Sequence, residues 1–253
     1  MSTLFISDLH LDPSRPATAR AFLSFLSNTA NGADALYILG DFFEAWIGDD
    51  AGTAFSDTII TGLRTLSNSG TAIYLQHGNR DFLLGQRFCT EANCSLLPDP
   101  CVIDCYGRAL LLMHGDSLCT DDTDYIELRK QLRAPQWQAQ FLAQSIEQRQ
   151  LIAQQLRAAS SAANSNKSQD IMDVNGDAVA ASFEQHGVDL LIHGHTHRPA
   201  IHEYPHHNGL RKRVVLGDWD DYAWSLCYHD DHSYQLEHWA IPQQAIAPQT
   251  ITS

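Results

Sequence analysis

Short apolar runs alternate along the chain with segments of helical period. Thr3 to Ile6, Ala35 to Leu39 and Ala72 to Gln76 read as buried strands. Between them, Ala17 to Leu26 sets Phe22, Leu23, Phe25 and Leu26 on one helical face, and Ile59 to Leu66 is a second helix. This alternation predicts parallel βαβ units and an α/β fold. Val102 to Cys105 and Ala109 to Met113 flank Tyr106-Gly107-Arg108 as a hairpin. From Asp124 to about Ala163 the pattern is helical and rich in Gln and Ala. Pro135 divides it into a short helix, Tyr125 to Arg133, and a longer one, Trp137 to Ala159. Trp137, Phe141, Leu142, Ile146, Ile152 and Leu156 form its apolar face. Asp177 to Gln185 is a further helix, feeding a strand from Val188 to Ile192. Four strands follow, Ala200 to Tyr204, Arg211 to Leu216, Ala223 to Tyr228 and Tyr234 to Trp239, with turns at Asn208-Gly209 and Asp230-Asp231. No repeat or linker interrupts the pattern. Residues 1–240 read as one domain with a helical insertion at about 122–168, and 241–253 as a tail.

Several of these strands end in residues that can bind a metal. Asp8 and His10 follow the first, Asp41 the second, Asn79 the third and His114 the hairpin. The Val188 strand ends in His193, His195 and His197, where Gly194 and Pro199 shape the turn. Solutes usually meet an α/β sheet at its strand ends. A His-rich loop is unsurprising in a chain with 13 histidines, and a lone Gly-Asp or Gly-Asn is an ordinary turn. The recurrence is what carries weight. Mixed carboxylate, amide and imidazole ligands without cysteine suit Mn²⁺, Fe²⁺ or Zn²⁺.

Composition narrows the function. The formal net charge of −14 argues against nucleic acid as a partner. The six cysteines make no Cys-x-x-Cys pair and no zinc-finger spacing, so free thiols in a reducing cytoplasm are expected. Met1 to Asp8 shows no signal peptide, and no apolar run approaches the roughly 18 residues of a membrane span. The insertion is electrically distinct: residues 129–167 carry Arg129, Lys130, Arg133, Arg149, Arg157 and Lys167 against Glu147 alone. Two readings stay open, a helical hairpin with solvated charges or a cap that meets anionic lipid or an anionic substrate.

Taken together, Asp8-Leu9-His10, Gly40-Asp41, Gly78-Asn79, His114 and Gly194-His195-Thr196-His197 resemble the calcineurin-like metallophosphoesterases. The resemblance implies a β-sandwich flanked by helices, with two metal ions at one edge bridged by an aspartate and a hydroxide. It implies that Asp8, His10 and His197 hold one ion, that Asn79, His114 and His195 hold the other, and that Asp41 bridges. His193 is left as a supporting residue. Most members have His after the Gly-Asn asparagine, where this chain has Arg80. Arginine cannot act as a general acid near neutral pH but can clamp phosphate oxygens; alternatively it pairs with Asp81 at the surface.

The stretches Gly40 to Asp50 and Gly78 to Gly85, His114-Gly115-Asp116 and His193 to Pro199 narrow the resemblance to one branch. Its members cleave the pyrophosphate of a lipid-linked nucleotide sugar, a diacylated UDP-glucosamine, on the way to lipid A. That implies a manganese enzyme, peripheral on the cytoplasmic face of the inner membrane. It releases UMP after attack at the α-phosphorus. The branch's catalytic positions map to Asp41, Asn79, Arg80 and His195, and its substrate contacts to Asn79, Arg80, Asp122, Ser160, Asn164, Lys167 and His195. Phe82, Leu83, Leu84 and the insertion's apolar face are expected to line an acyl groove, although each is also a plausible core residue. A hydrolase of soluble nucleotide diphosphates would share every metal ligand. A non-catalytic scaffold on this fold would usually have lost some of them.

Overall fold

The structure, a computed structural model, describes residues 1–165, 173–207 and 209–243, with the backbone alone at 161–165. The first sheet holds four parallel strands, β1 (Ser2–Ile6), β2 (Ala35–Leu39), β3 (Ala72–Gln76) and β4 (Ser95–Leu96). The antiparallel pair β10 (Tyr222–His229) and β11 (Tyr234–Ala240) completes it in the order β11-β10-β1-β2-β3-β4. The second sheet runs β5-β6-β7-β9-β8, from β5 (Cys101–Cys105), β6 (Arg108–Met113), β7 (Leu190–His193), β8 (Ala200–His206) and β9 (Gly209–Val215). Its three inner strands are parallel, and hairpins close both edges.

Side chains that alternate along each strand separate the layers. Phe5, Tyr37 and Leu39 meet Leu110, Leu112, Ile192 and Val214 between the sheets. Leu4, Ile6, Leu36, Ile38 and Leu75 face outward onto α1 (Pro16–Asn28), α2 (Ala54–Asn68) and α3 (Gln86–Ala92). Leu111, Met113 and Leu191 pack on Val179 and Phe183 of α7 (Gly176–His186). Strands covered on both faces show continuous apolar runs instead of a hydrophobic–polar alternation, as β1 and β2 do. Helix α3 and strand β4 have no counterpart in the sequence reading. Asn208, in one expected turn, and residues 244–253 of the expected tail lie outside the described residues, whereas Ile241 is buried in the core.

The insertion departs from expectation. After α4 (Thr123–Leu132), the single helix expected over Trp137 to Ala159 is two, α5 (Pro135–Leu142) and α6 (Ile146–Ser165). The break has a local cause. Ser145 Oγ accepts the Gln148 backbone N–H, while Gln148 Oε1 accepts that of Ser145, so Ser145-Ile146-Glu147-Gln148 is a reciprocal cap that starts a new helix.

Candidate metal centre and adjoining groove

Parallel strands deliver the ligand-type residues at their carboxyl ends, and the backbone there is unusual. Asp8, His10, Asp41, His195 and His197 all adopt positive φ, between 48° and 66°. Non-glycine residues pay for that conformation, and such strain concentrates at functional sites. The loops are laced together: Asp8 N donates to Gly40 O and His10 N to Asp41 O. A Cβ on Gly78 would lie 2.1 Å from Asp41 Oδ1, and one on Gly194 would lie 2.1 Å from Asp8 Oδ2. The two glycines are therefore what lets these loops approach the carboxylates. Asp81, fully buried, accepts backbone N–H groups from Phe42, Phe43 and Gly78, tying two of the loops to each other. Among the described contacts Asp81 makes no ion pair with Arg80, so the expected alternative of a surface salt bridge gives way to this internal role.

Seven side chains converge in two groups. In the first, His10 Nε2 lies 3.4 Å from His197 Nε2, and His197 Nε2 lies 3.4 Å from Asp8 Oδ1. In the second, Asn79 Oδ1 is 3.0 Å from both His114 Nε2 and His195 Nδ1. Asp41 stands between, Oδ2 3.8 Å from His10 Nε2 and Oδ1 3.7 Å from His114 Nε2.

Three of the four histidines are oriented through their far nitrogen. His10 Nδ1 is 2.8 Å from Glu44, His197 Nδ1 is 3.5 Å from Asp218, and His114 Nδ1 donates to Leu39 O at 2.9 Å. In each, Nε2 faces the cluster and a polar partner stands behind the ring, the arrangement by which outer partners orient metal-binding imidazoles. His193 is different. Its Nδ1 donates to Gly194 O, and its Nε2 accepts from Arg213 Nη1, so it faces away from the cluster as a neutral ring. Burial and the Arg213 charge push its pKa down to about 3.

These residues fit divalent ions. Asp8 Oδ1 is buried without a hydrogen bond. With His114 Nδ1 donating to Leu39, a neutral ring aims a lone pair at Asn79 Oδ1, another acceptor, and a cation between them would satisfy both. Burial lowers His114, but Asp41, Asp8 and Asp116 outweigh it and raise its pKa to about 9. Burial, joined by the nearby Asp81 and Asp8, raises Asp41 despite His114 and His10. Buried carboxylates and imidazoles that compensate one another only by protonation are what a cation would relieve.

An apolar groove of about 830 Å³, open to solvent, adjoins the second group. Asn79, Arg80 and Glu44 line it together with Phe82 and Leu83 and with Leu132, Trp137, Phe141 and Leu156 of α4, α5 and α6. Phe82 and Leu83 line the groove as expected, but Leu84 does not; it is buried against the helices of the first sheet. Leu142 is exposed. Ser160 lines the groove, Asp122 caps α4 by accepting from Tyr125 N, the Asn164 side chain is not described and Lys167 lies outside the described residues.

The insertion's basic residues are mostly engaged with the core. Arg129 pairs with Asp116 and Asp99, Arg149 grips Asp50 and Ile47 O, Arg157 meets Glu44, and Arg133 donates to Gly78 O. Asp99, Asp116 and Asp218 are supporting groups that the sequence reading gave no role. Only the position of Asp116 after His114-Gly115 could have signalled any of them.

The chain belongs to the calcineurin-like phosphoesterase family, whose model matches residues 1–199. That family implies divalent metal ions at a site of this kind. Within it, the chain is 51% identical over 238 residues to the UDP-2,3-diacylglucosamine hydrolase of Marinobacter nauticus, covering 94% of this chain and 98% of that one. It is 55% identical over 228 residues to the enzyme of the same name from Pseudomonas paraeruginosa, covering 89% and 94% respectively. With the enzyme of that name from Cellvibrio japonicus the identity is 53% over 226 residues, covering 89% and 94%.

Proposed function

We propose that the protein hydrolyses the pyrophosphate of UDP-2,3-diacylglucosamine, by attack of water at the α-phosphorus, to UMP and 2,3-diacylglucosamine 1-phosphate, a step in lipid A synthesis. One observation carries this: the converging carboxylates and imidazoles open, past Asn79 and Arg80, directly into an apolar groove. A hydrolase of soluble nucleotides has no use for that groove. The identity with relatives of that name supports the same reading.

Asp8, His10 and His197 would hold one divalent ion and Asn79, His114 and His195 the other, with one Asp41 oxygen toward each. The nitrogen and oxygen donors, without thiolate, suit Mn²⁺. When bound, such a pair supplies a water acidified toward a pKa of roughly 7 and positive charge beside the phosphoryl oxygens. The chain's own groups supply the rest. Arg80 Nε is buried without a hydrogen-bond partner and its guanidinium lines the groove, so, with no ion pair among the described residues to break first, it can donate to a phosphate oxygen. Being unable to release a proton, Arg80 suits a leaving group that needs none, which a sugar 1-phosphate is. His195 and Asn79 would reach the same phosphate. Ser160 in the groove, with Asp122, Asn164 and Lys167, would complete the substrate contacts.

Burying ten methylenes from water gains ~8 kcal/mol gross. A substrate drawn from a bilayer leaves hydrocarbon to enter hydrocarbon, so the groove would chiefly orient it. Such a substrate implies a peripheral protein on the cytoplasmic face of the inner membrane. No helix among the described residues is long and apolar enough to cross one. The test gives purified protein Mn²⁺ and either UDP-2,3-diacylglucosamine or a soluble UDP-sugar, with and without chelator. Turnover of the lipid alone, abolished by chelator, is expected. Equal turnover of both would indicate a soluble nucleotide-diphosphate hydrolase, and turnover of neither a scaffold.

A further inference from the structure

We propose that Glu44 is a positioning residue that couples the seating of α6 to the orientation of His10, so that the insertion and the metal centre order one another. The proposal rests on reading His10 as a metal ligand. Glu44 presents its two carboxylate oxygens to two parts of the molecule that are distant in sequence. Oε2 is 2.8 Å from His10 Nδ1, and Oε1 accepts from Arg157 Nη2 of α6 at 2.6 Å. Glu44 is mostly shielded from solvent, and its backbone N–H donates to Leu11 O, so the residue is fixed to the segment that carries His10.

The same loop holds α6 twice. Arg149, about two turns before Arg157, donates to Ile47 O and forks onto Asp50. Seating α6 on residues 44–50 therefore brings Arg157 onto Glu44. With one oxygen clamped, the other is held toward His10. The ring's Nε2 then points at the cluster, 3.4 Å from His197 Nε2 and 3.8 Å from Asp41 Oδ2. Without Arg157 the Glu44 side chain regains its rotamers, and His10 must be oriented at the expense of ion binding. Coupling of this kind is reciprocal: an ion at His10 also steadies α6 over the groove. Because Glu44 and Arg157 both line the groove, the centre is fully assembled only when the groove's α6 wall is in place.

The experiment measures Mn²⁺ binding by electron paramagnetic resonance, without substrate, alongside hydrogen exchange in residues 151–160. Wild type should bind two ions. Arg157→Gln should weaken one of the two sites about 10-fold and spare the other, although Arg157 is no ligand. Glu44→Ala should weaken the same site at least as much, and the double variant no more than Glu44→Ala alone. Glu44→Gln keeps an oxygen for His10 but loses the charge that holds Arg157, so it should match Arg157→Gln. Chelation should speed exchange in α6 of wild type but not of Glu44→Ala. Native affinity at both sites in Arg157→Gln, or losses that multiply in the double variant, would overturn the coupling. A wild-type protein that binds no Mn²⁺ would instead overturn the reading of the metal centre.

Discussion

Asp41 Oδ1 and His114 Nε2 face each other across 3.7 Å at a place almost closed to solvent. Neither group has a reason to be buried there unless charge is to be gathered. Asp41→Ala or His114→Ala should each lower kcat by ~10³-fold or more, because several kcal/mol of transition-state stabilisation go with a lost ion. Steady-state kinetics and metal content, measured on the same preparation, check this. Undiminished hydrolysis in either variant would remove that residue from the chemistry.

Metal removal should cost stability as well as activity. Asp8 and Asp41 are buried side by side with histidines that balance them only by protonation. An ion present at 100 times its Kd would add about 2.7 kcal/mol per site. Chelation should therefore lower Tm by several degrees, and Mn²⁺ should restore both Tm and turnover. Scanning calorimetry reads the first and product formation the second.

Asp81 holds the loops and not the substrate. Its carboxylate accepts three backbone N–H groups, from Phe42, Phe43 and Gly78. Asp81→Ala leaves those donors buried and unmatched, at ~1–3 kcal/mol each where water cannot enter. Urea unfolding should show that loss, and metal stoichiometry should fall with it, since Gly78 carries Asn79 into place. Asp81→Asn should be milder on both counts.

The groove should sort substrates. Removing residues 125–159 outright would leave Asp116 buried without Arg129 and Tyr125, which both bond its Oδ2, so the whole core would suffer. The pair Trp137→Ala and Leu156→Ala strips the groove while keeping those bonds. It should raise KM for the diacylated substrate tenfold or more and leave a small phosphodiester unchanged, in parallel assays. Equal loss on both would deny the groove a substrate role.

Acid should loosen α6 through Asp50. The bond from Arg149 holds the Asp50 carboxyl below its ordinary pKa. A carboxyl lowered on folding contributes fully above its unfolded pKa and loses the contribution as pH falls through the folded value. Exposure of Asp50 keeps the effect small. Protection of α6 amides, corrected for the intrinsic exchange rate, should fall modestly below about pH 4 in wild type, whereas Arg149→Ala should show the lower protection already at pH 7 and little further change.

Much of this was readable in the sequence, and the parts that were not share a cause. The strands are apolar runs covered on both faces, and the candidate ligands follow them at short fixed spacings, so both survive reading in one dimension. The groups that stand behind those candidates do not. Glu44 meets Arg157, Asp218 meets His197, and Asp99 meets Arg129 through contacts that only the fold creates. The excess positive charge of the insertion was plain, but its use was not: Arg129, Arg149 and Arg157 pair with core carboxylates. The break between α5 and α6 was written in Ser145-Ile146-Glu147-Gln148, a local signal hidden by a helical pattern on either side.

Water should attack the α-phosphorus of a lipid-linked UDP sugar at this centre. Hydrolysis of UDP-2,3-diacylglucosamine in ¹⁸O-water, with both products examined by mass spectrometry, tests it directly. The label should appear in UMP, with none in the diacylglucosamine 1-phosphate. Label in the sugar phosphate would contradict the account.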